Sequence, residues 1–255
     1  RLALLEQNQN VVSKRDDSLS REIGLKVFVG KYDEAIQLMT GRKFSVWEGG
    51  TLDVAEHWVN AHLLRGQQEL AAKQFDAALK DFQAAQDIPD NLPSDRGGAR
   101  GHDAEIAYWT ALTHEAMGEA DKAKDSWQRA ISASASAERF GRRGSGGGII
   151  SERSVQRYYQ AMAQKRLGQN TETETALRNL LQAANRTLEQ GSARGDSETS
   201  GERQSQRTRA ALAHYLAGLA QSGLGENEKA KQEFSLALQS SPDHLGAKTA
   251  LANLK

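Results

Sequence analysis

Cysteine is absent from the 255 residues. That excludes disulfides, thiolate metal sites and cysteine nucleophiles outright. Proline is nearly absent too, at three residues, so few points in the chain forbid a helix. β-Branched aliphatics are scarce: valine and isoleucine together number 15, against 64 for alanine and leucine. Straight-chain and small residues suit helices and β-branched ones suit strands, which argues against a β-sandwich or a parallel α/β sheet. Neither sign of charge is in surplus, with 33 basic and 33 acidic residues. A chain so balanced has no dominant attraction for nucleic acid or an anionic membrane. Nor is there a long apolar run. The charge-free stretch from Ala210 to Gly225 holds His214, Gln221 and three glycines and does not read as a membrane span.

What the chain does contain is a repeat. With Ala211 as position one of a 34-residue unit, Gly218 falls at eight, Gly225 at fifteen, Ala230 at twenty, Phe234 at twenty-four, Ala237 at twenty-seven and Pro242 at thirty-two. This is the tetratricopeptide pattern, two antiparallel helices joined by a tight turn. Small residues at eight and twenty admit close approach of the paired helices. The glycine at fifteen ends the first helix in the left-handed conformation, and the proline ends the second. Phe234 is expected to fill the space between neighbouring units. The same spacing places units near 16–49, 59–92, 104–137 and 154–187 besides 211–244. The unit from Ser154 is degenerate, with Thr173 at position twenty. Unit starts lie 43 to 57 residues apart, so each unit carries a longer connection. These fall at Gly41–Thr51, Pro89–Gly101, Gly141–Gly148 and Gly191–Gln206, the last polar enough to be expected mobile. The fold expected is all-α: one right-handed α-solenoid of tetratricopeptide-like antiparallel helix pairs over residues 1–255.

A set of motifs runs in order along the chain: Lys14-Arg15-Asp16-Asp17, Gly30-Lys31-Tyr32-Asp33-Glu34-Ala35, Arg42-Lys43-Phe44, Trp47-Glu48-Gly49-Gly50, Pro89-Asp90-Asn91-Leu92, Tyr108-Trp109, Tyr158-Tyr159-Gln160-Ala161 and Asp243-His244-Leu245-Gly246-Ala247. In this order they resemble the C-terminal half of a group of large bacterial tetratricopeptide-repeat proteins. In that group a β-rich domain of unknown function, similar to sugar-mutarotase folds, precedes the helical array. The chain departs from it with Ser45-Val46 in place of His-Pro and Thr51-Leu52 in place of Glu-Gly. The resemblance implies the helical architecture and a link to carbohydrate, but no activity. The chain opens on Arg1 and runs directly into Leu2-Ala3-Leu4-Leu5-Glu6, which reads as helix. An upstream part of the natural chain is therefore expected. A signal peptide is not readable from such an end, and localisation stays open with a lean to the cytoplasm.

Catalytic and metal chemistry find no support. The histidines His57, His62, His102, His114, His214 and His244 form no i, i+4 pair with an intervening glutamate, as a helical zinc site needs. The Gly144-Ser145-Gly146-Gly147-Gly148 run lacks the lysine and hydroxyl of a phosphate loop and reads as a linker. No Gly-x-Ser-x-Gly elbow is present. No enzyme, cofactor or metal is expected. In such an array the first helix of each unit lines the concave face, at positions two, five, nine and twelve. Position five is Leu63, Tyr108, Tyr158 and Tyr215. Position nine includes Leu112, Met162 and Leu219, and position twelve Glu115 and Lys165. Three tyrosines in one column would make an amphipathic binding surface, unless neighbouring helices bury them. The expected function is a non-catalytic scaffold. It would hold a protein or peptide segment, or its own upstream domain, in the concave groove. The alternative is a helical spacer or accessory region of a carbohydrate-binding or carbohydrate-active protein. No nucleic acid is expected as partner, because no basic helix face is evident. No membrane insertion is expected, and self-association is left open.

Overall fold

A computed structural model describes residues 1–45, 53–92, 101–133, 150, 153–192 and 200–254. The Trp47–Gly50 loop and the Gly141–Gly148 linker lie outside the described residues. Among the described residues the secondary structure is entirely helical, in thirteen segments: α1 Leu2–Gln7, α2 Gln9–Val12, α3 Asp16–Val29, α4 Tyr32–Met39, α5 Val54–Ala71, α6 Phe75–Gln86, α7 Asp103–Ala116, α8 Ala120–Ser132, α9 Arg153–Arg166, α10 Asn170–Ser192, α11 Ser200–Gly223, α12 Asn227–Ser240 and α13 Leu245–Asn253. They form two compact units, Arg1–Ser126 and Trp127–Lys255, whose border falls within α8. The architecture is all-α and of the solenoid type, as expected.

One turn recurs in all five helix pairs. Position fifteen is Gly30, Lys73, Gly118, Gly168 or Gly225, and each has positive φ, from +61° to +86°. Its amide bonds back to the carbonyl three residues earlier, as from Gly225 to Ser222 at 3.0 Å, and the next amide bonds five residues back, as from Glu226 to Gln221 at 2.8 Å. This double bond satisfies carbonyls that the helix end leaves open. It reverses the chain in three residues and sets the two helices antiparallel.

Small residues fix the spacing of the pairs. A Cβ on Gly218 would lie 2.5 Å from the Phe234 ring, and one on Gly66 would lie 2.6 Å from the Phe82 ring. Each phenylalanine is buried on the glycine of its own pair. Phe234 was expected between units. It sits within its own pair because the glycine leaves a seat for the ring there. Ala35, Ala78 and Ala230 at position twenty are fully buried. The degenerate Thr173 is buried as well, and its hydroxyl donates to the Ala161 carbonyl on the facing helix at 3.1 Å. The polar substitution thus has a partner, which removes the cost of burying it.

In unit 1 the motifs behind the resemblance converge on one clasp. Arg42 pairs with Asp16 at 2.6 Å and donates to the Ser13 carbonyl at 2.8 Å. Its guanidinium lies 5.5 Å over the buried Phe44 ring. The Asn91 amide donates to the carbonyls of Met39 at 3.0 Å and Arg42 at 2.7 Å. The turn from Pro89 thereby ties the end of α4 to the segment after α6, with Leu92 buried beneath it.

Unit 2 departs from expectation at the two ends of the Gly191–Gln206 segment, whose residues 193–199 lie outside the described residues. Residues 191–192 belong to α10 and 200–206 to α11. Glu, Arg and Gln are good helix formers and no proline interrupts them, so both helices run past the 34-residue unit.

Candidate functional site

The nine residues expected to line a groove divide by burial. Leu63, Tyr108, Tyr215 and Leu219 are buried, whereas Leu112, Tyr158 and Met162 are partly exposed and Glu115 and Lys165 are exposed. Tyr108 is only 9% exposed and stands edge-on to Trp109 at 5.7 Å. Tyr215 is 8% exposed. Its ring occupies the space where a Gly246 Cβ would sit, and lies 4.8 Å from the His244 ring and 6.1 Å from Phe234. The cause is α13, whose Leu245-Gly246-Ala247 start folds back over α11. Two of the three tyrosines therefore pack the interior and offer a partner no free ring.

In unit 2, Tyr158, Met162 and Lys165 follow one another at i, i+4 and i+7 along α9, so they share a face. Tyr158 packs partly against the core and meets Tyr159 edge-on at 5.2 Å. Met162 approaches Gly223, where an added Cβ would lie 3.3 Å from its sulfur. The Lys165 ammonium donates to the Gly223 carbonyl at 3.0 Å. A cation there suits the negative end of α11. Beside these residues opens a cavity of about 310 Å³ with Leu177 and Leu224 as apolar walls. Its charged rim holds Lys165, Glu174, Arg178 and Glu226. Arg178 and Glu174 pair across one helical turn at 2.7 Å. Leu177 is only 1% exposed, so the half-buried Leu224 is the apolar side chain that the cavity presents, among polar groups of both signs of charge. Sequence reasoning found Met162 and Lys165 through the repeat register. It missed Leu177, Arg178, Leu224 and Glu226, which lie on other helices and turns and carry no signal in the spacing of α9.

Polar groups inside unit 1 serve the packing. Asp81 receives His62 Nδ1 at 2.8 Å and Arg65 through two bonds of 2.6 Å, while Arg65 also reaches Asp33 at 2.5 Å. Burial would raise the Asp81 pKa, but the bonds from Arg65 and His62 outweigh it and lower it. Glu69 is pushed up by burial and by the Asp81 charge beside it. His214 and Glu233 repeat the His62–Asp81 pairing at the same two positions of the last unit, at 2.7 Å. His102 bridges Glu56 at 2.8 Å and Glu105 at 3.1 Å. Burial disfavours its charged form, yet the two carboxylates prevail and push its pKa up to about 10. Among the described residues no three His, Cys, Asp or Glu side chains are placed to hold a metal ion. No described helix is long and apolar enough to cross a membrane.

The net charge of zero hides an asymmetry. Unit 1 has 15 Lys and Arg against 21 Asp and Glu, a surplus of six acids, and unit 2 has 18 against 12, a surplus of six bases. α11 exposes Arg203 and Arg207 on one side, with Glu202 exposed beside them and Arg209 more than a right angle further round the helix, so these residues do not form one basic face. The total charge averages over both units and conceals the two surpluses.

Comparison with known proteins agrees with the helix pairs. Residues 211–244 match one tetratricopeptide-repeat family model and residues 105–134 match another. Similar solved structures include YrrB, a TPR protein with an unusual peptide-binding site, at 14% identity over 96% of both chains and a TM-score of 0.33. The apo form of RapI is similar at 12% identity with a TM-score of 0.38, and a Rap protein complexed with competence and sporulation factor at 17% with 0.37. Each of the last two covers 99% of this chain, which spans 63% of their length.

Proposed function

We propose that the chain is a protein-interaction scaffold that takes a protein or peptide segment on exposed helix faces. The observation that carries this reading is the unit 2 cleft. The half-buried Leu224 lines it beside the α9 face of Met162 and Lys165, with Arg178 and Glu226 at the rim. Such a surface suits a short segment with one apolar anchor and flanking charges, since a buried centre with a polar rim is the usual anatomy of recognition. In unit 1 the corresponding α7 residues are Leu112 and Glu115, which retain exposure where Tyr108 does not. The buried Leu63, Tyr108, Tyr215 and Leu219 support these faces from beneath. Tetratricopeptide repeats at both 105–134 and 211–244 favour the same class of function.

The test is a display library of natural peptide segments panned against the chain, followed by Arg178→Glu and Glu226→Arg, both rim changes. Segments captured through the cleft lose affinity with the charge reversals while the helical circular dichroism stays constant. Capture unchanged in both variants refutes the cleft as the contact.

A further inference from the structure

We propose that Glu69 and Asp81 share one proton across the α5–α6 seam, and that this pair is a pH-sensitive latch on the turn those helices form. Asp81 already receives three bonds. Its Oδ1 accepts from His62 Nδ1 at 2.8 Å and from Arg65 Nη2 at 2.6 Å, and its Oδ2 accepts from Arg65 Nε at 2.6 Å. A carboxylate offers about four acceptor sites, so one is left, on Oδ2. Glu69 stands within hydrogen-bond reach of Asp81, and its Oε2 is buried without a partner. As a carboxylate, Glu69 has no proton to offer and sets a second negative charge against Asp81. As an acid it donates its proton to the open site. What then stays buried and unpaired is a neutral carbonyl oxygen, which costs far less than a charged one. Arg65 draws Glu69 toward the charged form, but Asp33 of α4 shares that guanidinium and repels Glu69 in turn. His62 reaches the pair through Nδ1 alone, for its Nε2 is buried without an acceptor. α3 and α7 also pack on α5; Lys26 of α3 goes to Glu6, Glu22 and Glu34, and His114 of α7 to Glu119. Burial and the Asp81 charge raise the Glu69 pKa, in keeping with the geometry.

The last helix pair carries the same arrangement without the charge. His214 and Glu233 stand at positions four and twenty-three, as His62 and Asp81 do, and Gln221 takes position eleven, the place of Glu69. Gln221 likewise has one side-chain oxygen, Oε1, buried without a partner. An amide has the shape of a protonated carboxyl group, so a neutral side chain fits position eleven as it stands. The latch acts on the turn that Lys73 closes. The Glu69 carbonyl accepts from Gln74 and the Leu70 carbonyl from Lys73, and Lys73 is held at φ +61° where the other pairs have glycine. Ionising Glu69 therefore loosens a turn that is already strained. A group whose folded pKa is raised contributes stability that is complete below its ordinary value, 4.5 here, and is lost as pH rises through the folded value.

The experiment compares urea midpoints of the parent and Glu69→Gln from pH 4.5 to about pH 8, and follows amide exchange of Lys73 and Gln74 over the same range. Glu69→Gln copies the last pair and keeps a donor for Asp81 at every pH. Its midpoint is expected to exceed the parent's by a margin that grows with pH. In the parent alone, the two amides exchange faster with rising pH than intrinsic chemistry accounts for. The excess is about tenfold for each pH unit that separates the folded value of Glu69 from the ordinary one. Glu69→Ala, which offers Asp81 no donor, is less stable than Glu69→Gln throughout. A margin independent of pH overturns the proposal, and so does Glu69→Ala as stable as Glu69→Gln. Carbon-13 NMR of the Glu69 carboxyl group in the parent needs no variant to fold. Titration above 4.5 supports the shared proton, and titration at or below 4.5 overturns it.

Discussion

Lys73 is the one described residue other than glycine with positive φ, at +61°. It closes the α5–α6 turn at position fifteen, where the other four pairs have glycine at +78° to +86°. The turn is otherwise the same. Lys73 bonds to the Leu70 carbonyl at 3.0 Å and Gln74 to that of Glu69 at 2.8 Å. The side chain is exposed and pairs with no acid among the described residues. Replacing it with glycine removes nothing but the Cβ conflict of the left-handed conformation, which costs about 1–2 kcal/mol. Against this, glycine loses more freedom on folding, by about 0.4–1 kcal/mol. Lys73→Gly should therefore stabilise the protein by about 0.5–1 kcal/mol, or about 1–4 °C in melting temperature for a chain of this size.

The assay is urea denaturation followed by helical circular dichroism. Lys73→Ala is the control: it keeps the Cβ and should change stability little. Gly225→Ala, the mirror experiment, should cost about 1 kcal/mol. If Lys73→Gly lowers the midpoint, or if Lys73→Ala raises it as much as glycine does, the conformational argument is wrong. The gain would then come from the charge.

Gly66→Ala and Gly218→Ala should each cost about 1–3 kcal/mol by overpacking, because the new methyl meets a buried phenylalanine ring; Phe82→Leu should partly restore Gly66→Ala, and full additivity in the double-mutant cycle would contradict this. Asn91→Ala should cost about 1–3 kcal/mol in thermal unfolding by leaving the Met39 and Arg42 carbonyls without their donor, and an unchanged melting temperature would show the clasp to be dispensable. His102, held up to about 10 in the folded protein against 6.5 as its ordinary value, contributes stability that is complete below pH 6.5. That contribution, on the order of 1–3 kcal/mol, is lost as pH rises toward 10. His102→Gln should flatten the pH profile of stability in that window, and a profile identical to the parent would refute the bridge.

Much of the fold was legible because the repeat is written in residues that serve a single geometric need. A glycine at fifteen is needed for φ alone, and a glycine at eight for the seat of one ring, so Gly218 and Gly225 mark their positions without reference to the rest of the chain. Lys73 shows the limit. The position demands a left-handed residue, and the backbone bonds of the turn hold a lysine there. Only the register of the neighbouring units reveals that it does glycine's work. Thr173 is similar. A threonine at a small-residue position reads as degeneracy until its hydroxyl is seen to meet the Ala161 carbonyl. The extent of α10 and α11 was missed for another reason. Their ends are polar on every side, and hydrophobic periodicity carries no signal where no face is buried.

The site was less legible, for a reason particular to solenoids. The register says which side of a helix a residue occupies, but not whether another helix covers that side. Tyr158 and Tyr215 hold the same position in their units. Tyr215 is covered because α13 crosses α11 at Gly246, and a side chain there would have barred the crossing. The sequence Leu245-Gly246-Ala247 places a glycine opposite that ring, a match between residues thirty-one apart in the chain that no single-helix pattern contains. Charge behaves in the same way. A total of zero describes the chain as a distant ion meets it, whereas a partner within a Debye length meets one face. The acid surplus of unit 1 and the base surplus of unit 2 cancel in that total, and each becomes visible only once the chain divides after Ser126.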